Sequence, residues 1–292
     1  MSELALTFDC KDSNLIGILH KPVKPMRRGI VIVVGGGPQY RAGGHRQLTL
    51  WSRKLCDSGH AVLRFDYRGM GDSQGEFQGF LGVDADIRSA IDVLVREAPE
   101  LDEIVLWGEC DAASAILLYA GRDPRVKGAV LLNPWVRTES LQAQTVLRHY
   151  YVERLLQPSL WKKVFSGQFN PMTSLKSALG LVRQAGSGSM PGGGVAGPAE
   201  LTGEVIPRTL PLTDSLLLGL QRFNGRLMLV LSGRDLIARE FDALVAASPA
   251  WQKALAEHNT LRHDLPEGDH TFSSDALRSR VVDWGLAWLR QW

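Results

Sequence analysis

Apolar residues in this chain come in short, dense, β-branched runs, and amphipathic stretches of helical period separate them. Gly29-Ile-Val-Ile-Val-Val34 contains no polar side chain, which marks a strand covered on both faces. Ala61–Phe65, Ile104–Trp107, Val126–Leu132 and Arg226–Leu231 are further largely apolar runs, and Thr260–Leu265 reads as the last strand. Between them, residues 47–58 place Leu48, Trp51 and Leu55 at helical spacing, and 82–97 are similarly amphipathic. Residues 238–245, 249–257 and 275–291 predict further helices. Residues 4–20 read instead as a strand pair around the turn Lys11-Asp12-Ser13-Asn14. Strand and helix alternating at this rhythm predict an α/β fold with a doubly wound, mostly parallel sheet.

The rhythm breaks once. Residues 137–222 carry helical patterns at 140–157, 159–166, 174–184 and 213–222 and no strand. The Gly/Ser/Pro-rich run at 185–198 interrupts them and is expected to be flexible. The expected organisation is therefore a core of residues 1–136 and 223–292, with 137–222 as a helical cap inserted over one edge of the sheet.

Composition narrows the function without choosing it. The 292 residues are 45% hydrophobic and 22% charged, as in an ordinary globular protein, and the net charge of +2 supplies no broad field for nucleic acid or an anionic membrane. No apolar stretch reaches transmembrane length, and the opening residues lack a signal-peptide core. Three cysteines, Cys10, Cys56 and Cys110, are odd in number and lack metal-ligand spacing, which favours a reducing cytoplasm. No pattern speaks to oligomeric state.

The chemistry concentrates at predicted strand ends, where a doubly wound sheet gathers functional groups. Gly108-Glu109-Cys110-Asp111-Ala112 joins the strand 104–107 to an Ala-rich helix within one residue. So sharp a turn requires small residues two before and two after the apex, and Gly108 and Ala112 supply them. Cys110 then stands at the apex over a helix N-terminus whose dipole favours a thiolate. The plainer alternative is a small buried thiol at a strand–helix junction. Two other strand ends favour the nucleophile: Ser232-Gly233-Arg234-Asp235, and Glu267-Gly268-Asp269-His270. The chain order nucleophile, acid, histidine is that of α/β-hydrolases. His270 would take the thiol proton and later protonate the leaving group, while Asp235 would fix the imidazole tautomer. Asp235 can alternatively cap the helix that follows it. Asp269 is the rival acid, but it shares a turn with His270 and aims poorly. The oxyanion needs two donors: the backbone N–H of Asp111, and one from the loop after the strand 29–34, where Gly36, Gly37 and Gln39 are candidates and Gly37 is preferred.

These residues carry a resemblance. Gly35-Gly36-Gly37-Pro38, Asp66-Tyr67-Arg68-Gly69-Met70-Gly71-Asp72-Ser73, the Cys110 elbow and Gly268-Asp269-His270 resemble α/β-hydrolases of the serine-aminopeptidase-like group in which cysteine replaces the nucleophilic serine. With His149-Tyr150-Tyr151-Val152-Glu153-Arg154-Leu155-Leu156, the chain resembles in particular the exosortase A system-associated hydrolase type 1 proteins of bacterial exopolysaccharide gene clusters. The resemblance covers nearly the whole chain except 185–210. Three departures stand out: no His-Gly opening in the oxyanion loop, Ala112 in place of a glycine, and sulfur as nucleophile.

The expected activity is hydrolysis of an ester or thioester of a small-molecule acyl substrate through a cysteinyl acyl-enzyme, without metal or organic cofactor. The alternatives are acyl transfer at the same site, or a binding role in polysaccharide export with the chemistry lost. Tyr40, Tyr150, Tyr151 and Arg154 are candidate substrate contacts; a solvated basic helix face is the plainer account of the last three. A dinucleotide fingerprint at Gly35-Gly36-Gly37 fails, because its third glycine falls on Tyr40.

Overall fold

The computed structural model describes residues 1–37, 39–137, 206 and 209–292. Most of the expected cap, including Tyr150, Tyr151, Arg154 and the run 185–198, lies outside the described residues. The remainder belongs to one compact unit built from Met1–Val136 and the chain after residue 200.

Eight strands form one sheet: β1 (Ser2–Cys10), β2 (Ser13–Lys21), β3 (Arg28–Val33), β4 (Val62–Asp66), β5 (Glu103–Glu109), β6 (Val126–Leu132), β7 (Arg226–Ser232) and β8 (Leu261–Leu265). Their spatial order is β1-β2-β4-β3-β5-β6-β7-β8. The first two form an antiparallel hairpin added to β4 in antiparallel sense, and all the others run parallel. The doubly wound, mostly parallel sheet expected from the alternation is observed, in the α/β-hydrolase arrangement that the resemblance implied. The central strands are the fully buried ones, with Ile30, Val31, Ile32 and Val33 all closed to solvent, whereas β8 at the sheet edge buries only Leu265 fully.

The described helices are α1 (Gln47–Asp57), α2 (Asp84–Glu97), α3 (Asp111–Tyr119), α4 (Leu212–Arg222), α5 (Leu236–Ala247), α6 (Pro249–Glu257) and α7 (Asp275–Leu289). Helix α4, expected as the last part of the cap, packs on α3 within the core unit. The winding reverses between β4 and β5, so right-handed crossovers put α1 and α2 on opposite faces. Helix α7 joins α1, and an aromatic cluster of Trp51, Trp107 and Phe272 fills the space between them and the sheet. Gly285 lets α7 close on this cluster, since a Cβ there would collide with the Trp107 indole. That cluster anchors the strand before the elbow and the turn that carries His270 in one packed layer.

Candidate active site

The elbow forms as its small residues dictate. Cys110 sits between β5 and α3 at φ 59°, ψ −126°, a conformation strongly disfavoured for a side chain with a Cβ. Its N–H donates to Leu132 O at 2.9 Å, and its carbonyl accepts from Trp135 N at 3.2 Å, so the end of β6 and the loop after it hold the strained residue. Gly108 is obligatory: a Cβ would stand 2.7 Å from Ile116 Cδ1 and 2.9 Å from the Ala112 backbone. Cys110 is buried but lines a cavity of about 250 Å³ together with His270, Glu109, Gln47, Gly36 and Gln39.

The two partner loops arrive by different routes. Asp235 is the N-cap of α5, accepting from Ile237 N at 3.1 Å and Ala238 N at 3.3 Å. The same carboxylate accepts from His270 Nδ1 at 2.8 Å. The capping and orienting readings therefore hold together, because a carboxylate has lone pairs enough for both. Asp269 is engaged elsewhere, with Ser273 N at 2.9 Å and with the Ser273 hydroxyl. Backbone bonds from Gly233 N to Leu265 O and from Arg234 N to Gly268 O, at 2.8 and 2.9 Å, lace the acid loop to the histidine turn. A carboxylate only accepts, so Nδ1 carries the proton and Nε2 is the nitrogen left for the Cys110 thiol, with which His270 shares the cavity wall.

One proton is contested between sulfur and imidazole. The Asp235 carboxylate and then the thiol push His270 up to about 10, against burial. Burial raises Cys110 in turn, opposed by the His270 hydrogen bond and assisted by the Asp111 carboxylate. Asp235 thus draws the proton onto the ring, while desolvation and Asp111 hold it on sulfur.

Of the loop donors, Gly36 N–H is taken by Asp111 Oδ1 at 2.6 Å, and Gln39 N–H by Met70 Sδ at 3.4 Å. Gly37 keeps φ 70° on the same loop, although it is not among the residues on the cavity wall. The backbone N–H of Asp111 faces the Cys110 sulfur. Tyr40 is 56% exposed and stands off the cavity wall. Arg68 and Asp72 knit their loop in place, Arg68 to Asp86 at 2.7 Å and Asp72 to Arg41 at 2.9 Å.

Three residues of the site escaped the sequence reading. Asn133, fully buried at φ 46°, donates from Nδ2 to Ser232 Oγ at 3.0 Å and to His270 O at 3.1 Å, and accepts from Ser232 N at 2.9 Å. Glu109 is buried beside the elbow, its carboxyl pushed up to about 8 by desolvation, and Gln47 donates to it. The signal for Asn133 was the Asn-Pro pair directly after a buried strand; Glu109 was visible inside the elbow motif, as a charge in a run that must be buried. Gln47 carried no signal. Among the described residues no group of three His, Cys, Asp or Glu side chains has the geometry to hold a metal ion, and no helix is long and apolar enough to cross a membrane.

Comparison with known proteins agrees with this architecture. A family model described as Serine aminopeptidase, S33 (Hydrolase_4) matches residues 26–175. Two curated proteins are similar: the quorum-quenching protein AidA of Acinetobacter baumannii, 25% identical over 170 residues, covering 56% of this chain and 53% of AidA, and the uncharacterized protein RP471 of Rickettsia prowazekii, 28% identical over 132 residues, covering 45% and 55%. The chain thus spans about half the length of these curated relatives. Among solved structures, the Pyrococcus furiosus esterase Pf2001 superposes with TM-score 0.64 at 14% identity, covering 100% of this chain and 91% of its own. A thermostable carboxyl esterase from Bacillus coagulans gives 0.61 at 15% identity, covering 99% and 98%. Identities this low speak to the fold.

Proposed function

This chain belongs to the serine aminopeptidase S33 family of hydrolases, and from that premise we propose that it cleaves an ester or thioester through Cys110, His270 and Asp235. The observation that carries the reading is the 2.8 Å hydrogen bond from His270 Nδ1 to Asp235, with His270 and Cys110 on the wall of one cavity. The Cys110 proton passes to His270 Nε2 as sulfur attacks the acyl carbon, and Asp235 stabilises the imidazolium that results. N–H groups of Asp111 and Gly37 receive the oxyanion; Gly37 remains for this role because Gly36 and Gln39 direct theirs elsewhere. Collapse expels the alcohol or thiol, which takes the proton from His270. Water then attacks the thioester on Cys110, giving its proton to His270, and the acid leaves with sulfur regenerated.

Cysteine in place of serine suits activated acyl donors, since a thiolate attacks and departs with less help from the base. The resemblance to exosortase-associated hydrolases favours a substrate drawn from exopolysaccharide assembly. The test is a panel of p-nitrophenyl esters and acyl thioesters of graded length. Wild-type protein turns over at least one, and Cys110→Ala lowers kcat by about 10³-fold or more with little change in melting temperature. Full turnover by Cys110→Ala overturns the covalent reading. Transfer of the acyl group to added sugar acceptors in preference to water identifies an acyltransferase at the same site.

A further inference from the structure

The wall of the active-site cavity is more polar than acyl chemistry alone requires. Gln47 is 3% exposed and lines the cavity, yet its Oε1 has no hydrogen-bond donor within reach. Its Nε2 is committed to the Glu109 carboxyl, also on the cavity wall. Two successive residues at positive φ, His45 at 52° and Arg46 at 61°, lead directly into Gln47. Non-glycine residues adopt such a conformation only where the surroundings impose it, and here it turns an amide inward at the first position of α1. Val33, Val34 and Leu48 supply apolar wall beside this pair. The cavity, about 250 Å³, lies below the lower end for drug-sized ligands, roughly 300 Å³, so it suits a short acyl chain.

We infer that Gln47 and Glu109 form the polar end of an acyl pocket that selects a short acyl chain bearing a hydroxyl group. The inference rests on the acyl-enzyme reading above and names its substrate class. A hydroxyl both donates and accepts. It donates to Gln47 Oε1 and accepts from the Glu109 carboxyl, whose charged form burial disfavours. A methyl group leaves the buried acceptor unmatched.

The experiment compares kcat/KM for the 3-hydroxybutyryl, butyryl and 3-aminobutyryl thioesters of N-acetylcysteamine. Wild-type protein prefers the hydroxyacyl thioester over the butyryl one by at least about tenfold. Gln47→Leu brings the ratio of hydroxyacyl to butyryl kcat/KM down to about one, and Gln47→Glu, which retains an acceptor, keeps the preference. Gln47→Met replaces Gln47→Leu if the latter does not fold. A wild-type ratio near one, a preference for the aminoacyl thioester, or a hydroxyl preference that survives in Gln47→Leu overturns the inference. If no thioester turns over, the acyl-enzyme reading fails separately, and the pocket is read by calorimetric titration of 3-hydroxybutyramide against butyramide. Tighter binding of the hydroxyamide by wild type but not by Gln47→Leu upholds the pocket, and equal binding overturns it.

Discussion

The two rims of the sheet hold cavities of opposite character. At the amino ends of the parallel strands, Arg27, Arg28, Asp102, Glu103 and Trp292 border about 620 Å³, more than twice the volume around Cys110. Its charges are matched: Arg28 meets Glu103 at 2.5 Å, stacks on the Trp292 ring at 3.6 Å and donates to backbone carbonyls of Leu289 and Trp292, while Arg27 pairs with Asp102. At the carboxyl ends the space is smaller and the polar groups are buried and contested. Among the described residues, His45, Arg46, Cys110, Asn133 and Phe272 hold positive φ in the loops of this rim; Lys11 and Asn259, in turns elsewhere, are the other non-glycine cases. Size does not identify the site. Strain and buried polar groups do, because both cost stability and persist where the fold holds them in place for a purpose.

Substitutions at the two rims separate these characters. The largest effect is expected at Asp235. Asp235→Asn keeps an acceptor for the α5 cap but withdraws the carboxylate from His270, so kcat falls by about 10²–10⁴-fold while stability stays within about 1 kcal/mol of wild type. Asp235→Ala loses the cap as well, and parallel kinetics and denaturant melts show whether the two roles divide in this way.

Glu109 comes next. A carboxyl raised from 4.5 to about 8 in the fold binds a proton there that the unfolded chain has released. Its stabilising contribution is full below the unfolded value and is lost as pH rises through about 8. Wild-type protein therefore loses stability from this group across that window, by roughly 3–5 kcal/mol, and Glu109→Gln flattens the difference. Urea melts across the range, variant against wild type, measure it; parallel curves contradict the assignment.

Asn133→Ala removes the bonds that join β6, β7 and the histidine turn. It is expected to cost about 2–3 kcal/mol and to lower kcat by about tenfold with KM little changed. The smallest effect lies at the other rim. Arg28→Met is expected to lose about 1 kcal/mol and leave turnover within about twofold of wild type. A comparable loss of activity there would erase the distinction between the rims.

How much of this was legible in the sequence depended on whether a constraint is local. A fully buried strand must be apolar throughout, so Gly29–Val34 and Ile104–Trp107 announced themselves. An elbow must have small flanks, so Gly108 and Ala112 pointed to Cys110. The order of Asp235 and His270 after strand ends pointed to two side chains that the fold brings into hydrogen-bond contact. Asn133, Glu109 and Gln47 act through partners far along the chain, 62 positions away for Gln47 and Glu109 and 137 for Asn133 and His270, and no periodicity encodes such a pairing. The choice of oxyanion donor was hidden for the same reason: only the fold sets the Asp111 carboxylate on Gly36 N–H. The rival acids show the reverse. Asp269 lies beside His270 in sequence, but its own turn claims it, and distant Asp235 reaches the ring.

Rapid quenching of the protein with stoichiometric acyl thioester, followed by peptide mass mapping, tests the account where it is most exposed. The account predicts an acyl adduct on the peptide containing Cys110, formed more slowly in His270→Ala, with Cys10 and Cys56 unmodified. Turnover without an adduct, or acylation distributed equally over the three cysteines, would contradict it.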